Sequence, residues 1–67
     1  MKICYDKLWK LVVDNKMKRQ DLTRAAKISA NTVTKLGNNK AVSLEVLLRI
    51  CKVFHCDIGD IMEVIEE

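Results

Sequence analysis

The stretch Met17-Lys18-Arg19-Gln20-Asp21-Leu22-Thr23-Arg24-Ala25-Ala26-Lys27-Ile28-Ser29-Ala30-Asn31-Thr32-Val33-Thr34-Lys35-Leu36 holds two short helical patterns with a break between them. Leu22, Ala25 and Ala26 recur at i, i+3 and i+4, which predicts a helix over 19–26 with a small-residue face that lets another helix approach closely. Lys27 and Ile28 interrupt the pattern. Ser29 is a good N-cap for a second helix over 30–36, whose apolar residues Ala30, Val33 and Leu36 are spaced by three. Its other positions, Asn31, Thr32, Thr34 and Lys35, are polar and mostly uncharged. Asn and Thr are mediocre helix formers, so propensity does not explain why they are there.

Outward from this unit, the chain reads as three further short helices. Asp6 is placed to cap a helix over 6–15 with Leu8, Leu11 and Val12 on one face and Trp9 and Val13 beside them. Gly37-Asn38-Asn39-Lys40 reads as a turn, since Gly and Asn tolerate left-handed backbone. Ser43 caps a helix over 44–55 with the stripe Leu44, Leu47, Leu48, Cys51 and Phe54. Asp57 caps a fifth over 58–65 with Ile58, Ile61, Met62 and Ile65 at i, i+3, i+4 and i+7. Five short helices and no linker predict one all-α domain spanning 1–67.

Composition agrees and excludes much. Hydrophobic residues make up 49% and charged residues 31%, a globular balance, and the absence of proline with only two glycines argues against a sandwich or barrel. Three cysteines, Cys4, Cys51 and Cys56, are an odd number, unlike a secreted disulfide scaffold, and the N-terminus lacks the apolar run of a signal peptide. No apolar run is long enough to span a membrane, so a reducing cytoplasm is the expected compartment. The net charge of +3 is unevenly spread. Residues 1–40 carry ten basic side chains against three acidic, a surplus of +7, and residues 41–67 carry two against six, or −4. A basic half suits a polyanion and an acidic half is turned away from it.

Nothing in the chain supports catalysis. It has no Ser/His/Asp set, no phosphate-binding glycine loop and no zinc-protease motif. Asp57 and Asp60 look paired, but both fall at a helix start, where anions are favoured. Cys51, His55 and Cys56 do not match a zinc pattern, and Cys51 fits the core stripe, so no metal, cofactor or small-molecule ligand is expected.

A bracing helix, a tight turn and a capped helix with one apolar and one amide-rich face make a helix-turn-helix. The second helix then lies in the major groove of duplex DNA. There Asn bonds adenine bidentately and Lys donates to guanine, while Lys18, Arg19 and Lys40 suit phosphates.

The stretch quoted above resembles the Cro/repressor-type (XRE-like) helix-turn-helix. The tail, Val42-Ser43-Leu44-Glu45-Val46-Leu47-Leu48-Arg49-Ile50-Cys51-Lys52 and Cys56-Asp57-Ile58-Gly59-Asp60-Ile61-Met62-Glu63, resembles the closing helices of small stand-alone bacterial members, so the likeness covers about residues 5–65. It implies a lambda-repressor-like fold and a DNA-binding transcriptional regulator, a repressor. Base reading falls to Ala30, Asn31, Thr34 and Lys35, and contact with the DNA backbone to Lys18, Arg19, Ser29, Thr32, Asn38, Asn39 and Lys40. Arg19 stands where the family often has glutamine. Lys27 stands where it usually has glycine, at a strain of about 1 kcal/mol if the backbone is left-handed. Asn39 replaces another glycine. Gly37 replaces a glutamate that often pairs with the first helix, and Val12 is expected to offer an apolar contact there instead. Ala30 touches only a thymine methyl. The apolar C-terminal residues, with Ile3 and Tyr5, are the expected contact of a homodimer, since paired half-sites raise affinity. The same fold also serves as a protein-interaction module, such as an antitoxin or adaptor, and that reading stays open on sequence.

Overall fold

The computed structural model describes residues 1–66; Glu67, counted above among the acidic residues, lies outside them. Four α-helices follow a short strand: β1 (Lys2–Cys4), α1 (Asp6–Asp14), α2 (Arg19–Ala26), α3 (Ala30–Gly37) and α4 (Leu44–Phe54). A 3-10 turn at Ile58–Asp60 and strand β2 (Glu63–Ile65) close the chain. The core is aliphatic, built on Leu8, Leu22, Leu36, Ile50 and Ile61 with the ring of Tyr5, all fully buried.

The predicted fifth helix is therefore a 3-10 turn and a strand. β2 pairs antiparallel with β1 in the register Lys2↔Ile65, Ile3↔Val64 and Cys4↔Glu63. Val64 and Ile65 are β-branched and suit an extended chain. The helical spacing at Ile58, Ile61 and Met62 is real only for one turn, where Ile61 enters the core. At the start of that turn the Asp60 carboxylate accepts from the Asp57 backbone N–H at 3.0 Å.

Helix starts follow their caps. Ser29 Oγ accepts from Thr32 N–H at 3.1 Å and Ser43 Oγ from Val46 N–H at 3.2 Å. At α2 the Asp21 carboxylate reaches back to the Lys18 N–H at 2.8 Å. Asp6 does not cap α1; it is the first helical residue, where its charge favours the helix N-terminus.

All four helices stop in one way. Lys16, Lys27, Asn39 and His55 take the left-handed conformation, with φ between 51° and 56°. The next N–H then bonds back to a carbonyl five residues earlier: Met17 to Val12, Ile28 to Thr23, Lys40 to Lys35 and Cys56 to Cys51. This is the 6→1 bond of the Schellman motif. Met17, Ile28 and Cys56 also fold onto the core, the apolar contact that accompanies such an end. Neither glycine has a positive φ. Gly37, expected in the turn, is the last residue of α3.

Two expected faces are rotated. In α4 the buried stripe is Leu47, Ile50 and Cys51 with Phe54 partly covered, again i, i+3, i+4 and i+7, which leaves Leu44 61% and Leu48 55% exposed. In α2 Leu22 and Ala26 are buried but Ala25 is exposed, facing a groove of about 470 Å³ shared with Lys27, Arg49, Lys52 and Val53. Tyr5 is buried and Ile3 is half-covered in the ribbon, so neither forms the exposed patch expected of them.

Candidate nucleic-acid interface

Helix α3 is pinned from below and open above. Val33 and Leu36 are buried, while Ala30, Asn31, Thr34 and Lys35 are exposed. Among the described residues, Asn31 and Lys35 form no side-chain hydrogen bond or ion pair within the chain. Their donors and acceptors are free for another molecule. Thr34 is partly committed: its hydroxyl donates to the Ala30 carbonyl at 3.1 Å, which leaves its oxygen as an acceptor only. Ser29 and Thr32 share one hydroxyl hydrogen bond of 2.9 Å, so the pair retains one O–H for an outside acceptor.

The flanks differ in how they are held. Lys18, Asn38 and Lys40 have exposed side chains at the start of α2 and just after α3. The loop after α3 is tied down from the far end of the chain. The Tyr5 hydroxyl donates to the Lys40 carbonyl at 2.9 Å, and the Asn39 side-chain oxygen accepts from the Tyr5 N–H at 3.1 Å. One of the residues expected to touch the DNA backbone, Asn39, thus has its carbonyl oxygen engaged in holding its own loop. Burial pushes the Tyr5 phenol up from its ordinary pKa, so it stays a donor well above neutral pH.

The α2–α3 corner is also braced. Arg49 of α4 donates to the Lys27 carbonyl at 3.0 Å and pairs with Glu45 at 2.8 Å. This offsets part of the cost of the left-handed backbone at Lys27. Arg19 departs most from expectation. Its guanidinium lies over the Trp9 ring, 4.8 Å from the centroid, and beside Gly37. Val12 is buried, but the atoms nearest the position of a Cβ on Gly37 all belong to Arg19. Sequence reasoning missed Tyr5, Trp9 and Arg49 as supports of this surface. Tyr5 meets its partners 34 and 35 positions away, and no local pattern announces such a contact.

A capped, one-sided helix held by a bracing helix and surrounded by basic side chains is the architecture of a helix-turn-helix DNA-binding domain. The family model of the Cro/C1-type HTH DNA-binding domain matches residues 7–67, and the chain belongs to that family. It is also similar to the crystal structure of the transcriptional regulator VanUg (form II), with a TM-score of 0.91 and 48% identity over 98% of this chain and 88% of that one. No curated protein matches. Among the described residues no group of three or more His, Cys, Asp or Glu is placed to hold a metal ion. Among the described residues no helix is long and apolar enough to cross a membrane.

Proposed function

We propose that the chain is a sequence-specific transcriptional regulator, a repressor that acts as a homodimer and lays α3 in the major groove of duplex DNA. One observation carries this reading: the exposed face of α3 offers Asn31 and Lys35 unpartnered, between basic flanks, on a helix otherwise locked into the core. Asn31 matches the acceptor–donor edge of adenine, and the Lys35 ammonium matches the acceptors of guanine. Thr34, its proton spent on Ala30, accepts from a base amino group, and Ala30 meets a thymine methyl. Lys18, Arg19, Ser29, Thr32, Asn38 and Lys40 contact phosphates and set the register, with Asn39 shaping the loop. A domain seated on an operator represses by occupying DNA that the transcription machinery needs. No ligand enters this mechanism.

Selection of bound sequences from a random duplex pool tests it. A defined site should emerge. Asn31→Ala and Lys35→Ala should each cost about 1–3 kcal/mol on that site and relax the preference at particular base pairs. No preference for any duplex over competitor DNA at low salt would sink the reading. A stoichiometric protein partner whose capture ignores both substitutions would point instead to an interaction module.

A further inference from the structure

Arg19 is the one predicted phosphate ligand whose charged group is built into the fold. It is the first residue of α2, yet its guanidinium rests on the Trp9 ring of α1 and against the end of α3. A Cβ added to Gly37 would lie 3.1 Å and 3.3 Å from the two terminal nitrogens of Arg19 and 3.4 Å from its central carbon. The guanidinium therefore fills a slot bounded by an indole face on one helix and a missing side chain on another. The slot has an electrostatic basis, because the C-terminal end of α3 favours a cation. The nearest acid along the sequence, Asp21, is turned to the Lys18 N–H. Among the described residues the Arg19 guanidinium makes no hydrogen bond or ion pair within the chain; only its backbone carbonyl is engaged, accepting from the Thr23 hydroxyl. Stacking uses the face of a guanidinium and leaves its N–H edge available, and holding the plane fixed lowers the entropy lost when that edge binds an oxyanion.

We propose that Trp9 and Gly37 are positioning residues for DNA binding: they hold the Arg19 guanidinium beside the end of α3 so that its N–H edge meets a backbone phosphate. This rests on the reading of α3 as a DNA-contacting helix. Trp9 reaches the DNA only through Arg19, and Gly37 acts by having no side chain. Lysine at position 19 keeps the charge but not the plane, so it does not replace arginine.

A double-mutant cycle on the selected duplex, read across a salt series, tests the proposal. Arg19→Ala should weaken binding about five- to tenfold at moderate salt and reduce the salt slope by about one. Trp9→Leu should do nearly the same, and adding it to Arg19→Ala should change nothing more. Gly37→Ala, whose methyl presses on the guanidinium and shifts it by a few tenths of an ångström, should fall between wild type and Arg19→Ala. Additive effects, or a Trp9→Leu protein that is folded by circular dichroism and keeps the wild-type slope, would overturn it. A separate arm needs no DNA. Trp9 is the single tryptophan of the chain, so its emission should shift in Arg19→Ala and less in Arg19→Lys. Unchanged emission means the stack is absent in solution, and the proposal falls even if DNA still binds. A shifted emission in a protein that binds no duplex means that the DNA reading has failed, and the phosphate role with it, while the stack stands.

Discussion

Lys27 shows how a single backbone angle is accommodated. At φ 56° and ψ 49° it occupies a region that costs a side-chain-bearing residue about 1 kcal/mol relative to glycine. Its surroundings fix it there: the Arg49 guanidinium holds its carbonyl, the Ile28 N–H bonds back to Thr23, and the Ile28 side chain is buried. Lys27→Gly keeps all three. Relief of the strain is partly offset by the greater freedom of glycine in the unfolded chain. The expected outcome is a net gain of up to about 0.5 kcal/mol in a urea titration, with an unchanged slope. A loss would mean that the lysine side chain contributes something the geometry does not show. The strain was legible in the sequence, from the resemblance alone. The support from Arg49 was not, because it comes 22 residues later from a helix whose exposed face carries no recognisable signal.

At the scale of elements, the type of element predicted from local pattern is overturned at the C-terminus. Helices α1 to α4 were legible because each has a 3.6-residue stripe, and two have serine caps whose hydrogen bonds form. The helix ends lacked the usual glycine, but the apolar residue one position beyond each left-handed turn at Met17, Ile28 and Cys56 marks three of the four. Residues 58–65 carry an equally good helical stripe, and what overrules it is a strand some 60 positions away in β1. No window of local sequence contains that partner. The two architectures differ in consequence. In a fifth helix Ile61 and Ile65 would share one buried face, whereas here Ile61, at the end of the 3-10 turn, is fully buried and Ile65, in the ribbon, is 40% exposed. Ile61→Ala should therefore cost about 2–5 kcal/mol and Ile65→Ala well under half of that, compared by chemical denaturation. Equal losses would restore the helix.

The whole molecule combines a charge split with an apolar face on α4. The acidic residues gather late in the sequence, and four of the late apolar side chains, Leu44, Leu48, Val64 and Ile65, stay exposed. Leu44 and Leu48 are one helical turn apart on the same face of α4, so they form a two-residue apolar strip. Burying the remaining exposed part of these two leucines on association returns about 1–2 kcal/mol each, in two copies under two-fold symmetry, a contribution that weighs against the cost of joining two small chains. On the function proposed above, a dimer would also make a useful site out of few base contacts. With Ala30 nearly mute and Thr34 half-committed, one α3 in the proposed major-groove position would read few base pairs, and a second α3 on the next turn of the duplex would double them. Wild-type protein should sediment as a dimer at micromolar concentration and select a two-fold symmetric site with half-sites about one helical turn apart. Leu44→Glu/Leu48→Glu should sediment as a folded monomer and bind an isolated half-site as well as wild type does, while losing the gain that the second half-site confers. A wild-type monomer selecting an asymmetric site would remove both the dimer and this face as its interface. A wild-type dimer that survives both substitutions would move the interface elsewhere, with the exposed Val64 and Ile65 of β2 the next residues to change.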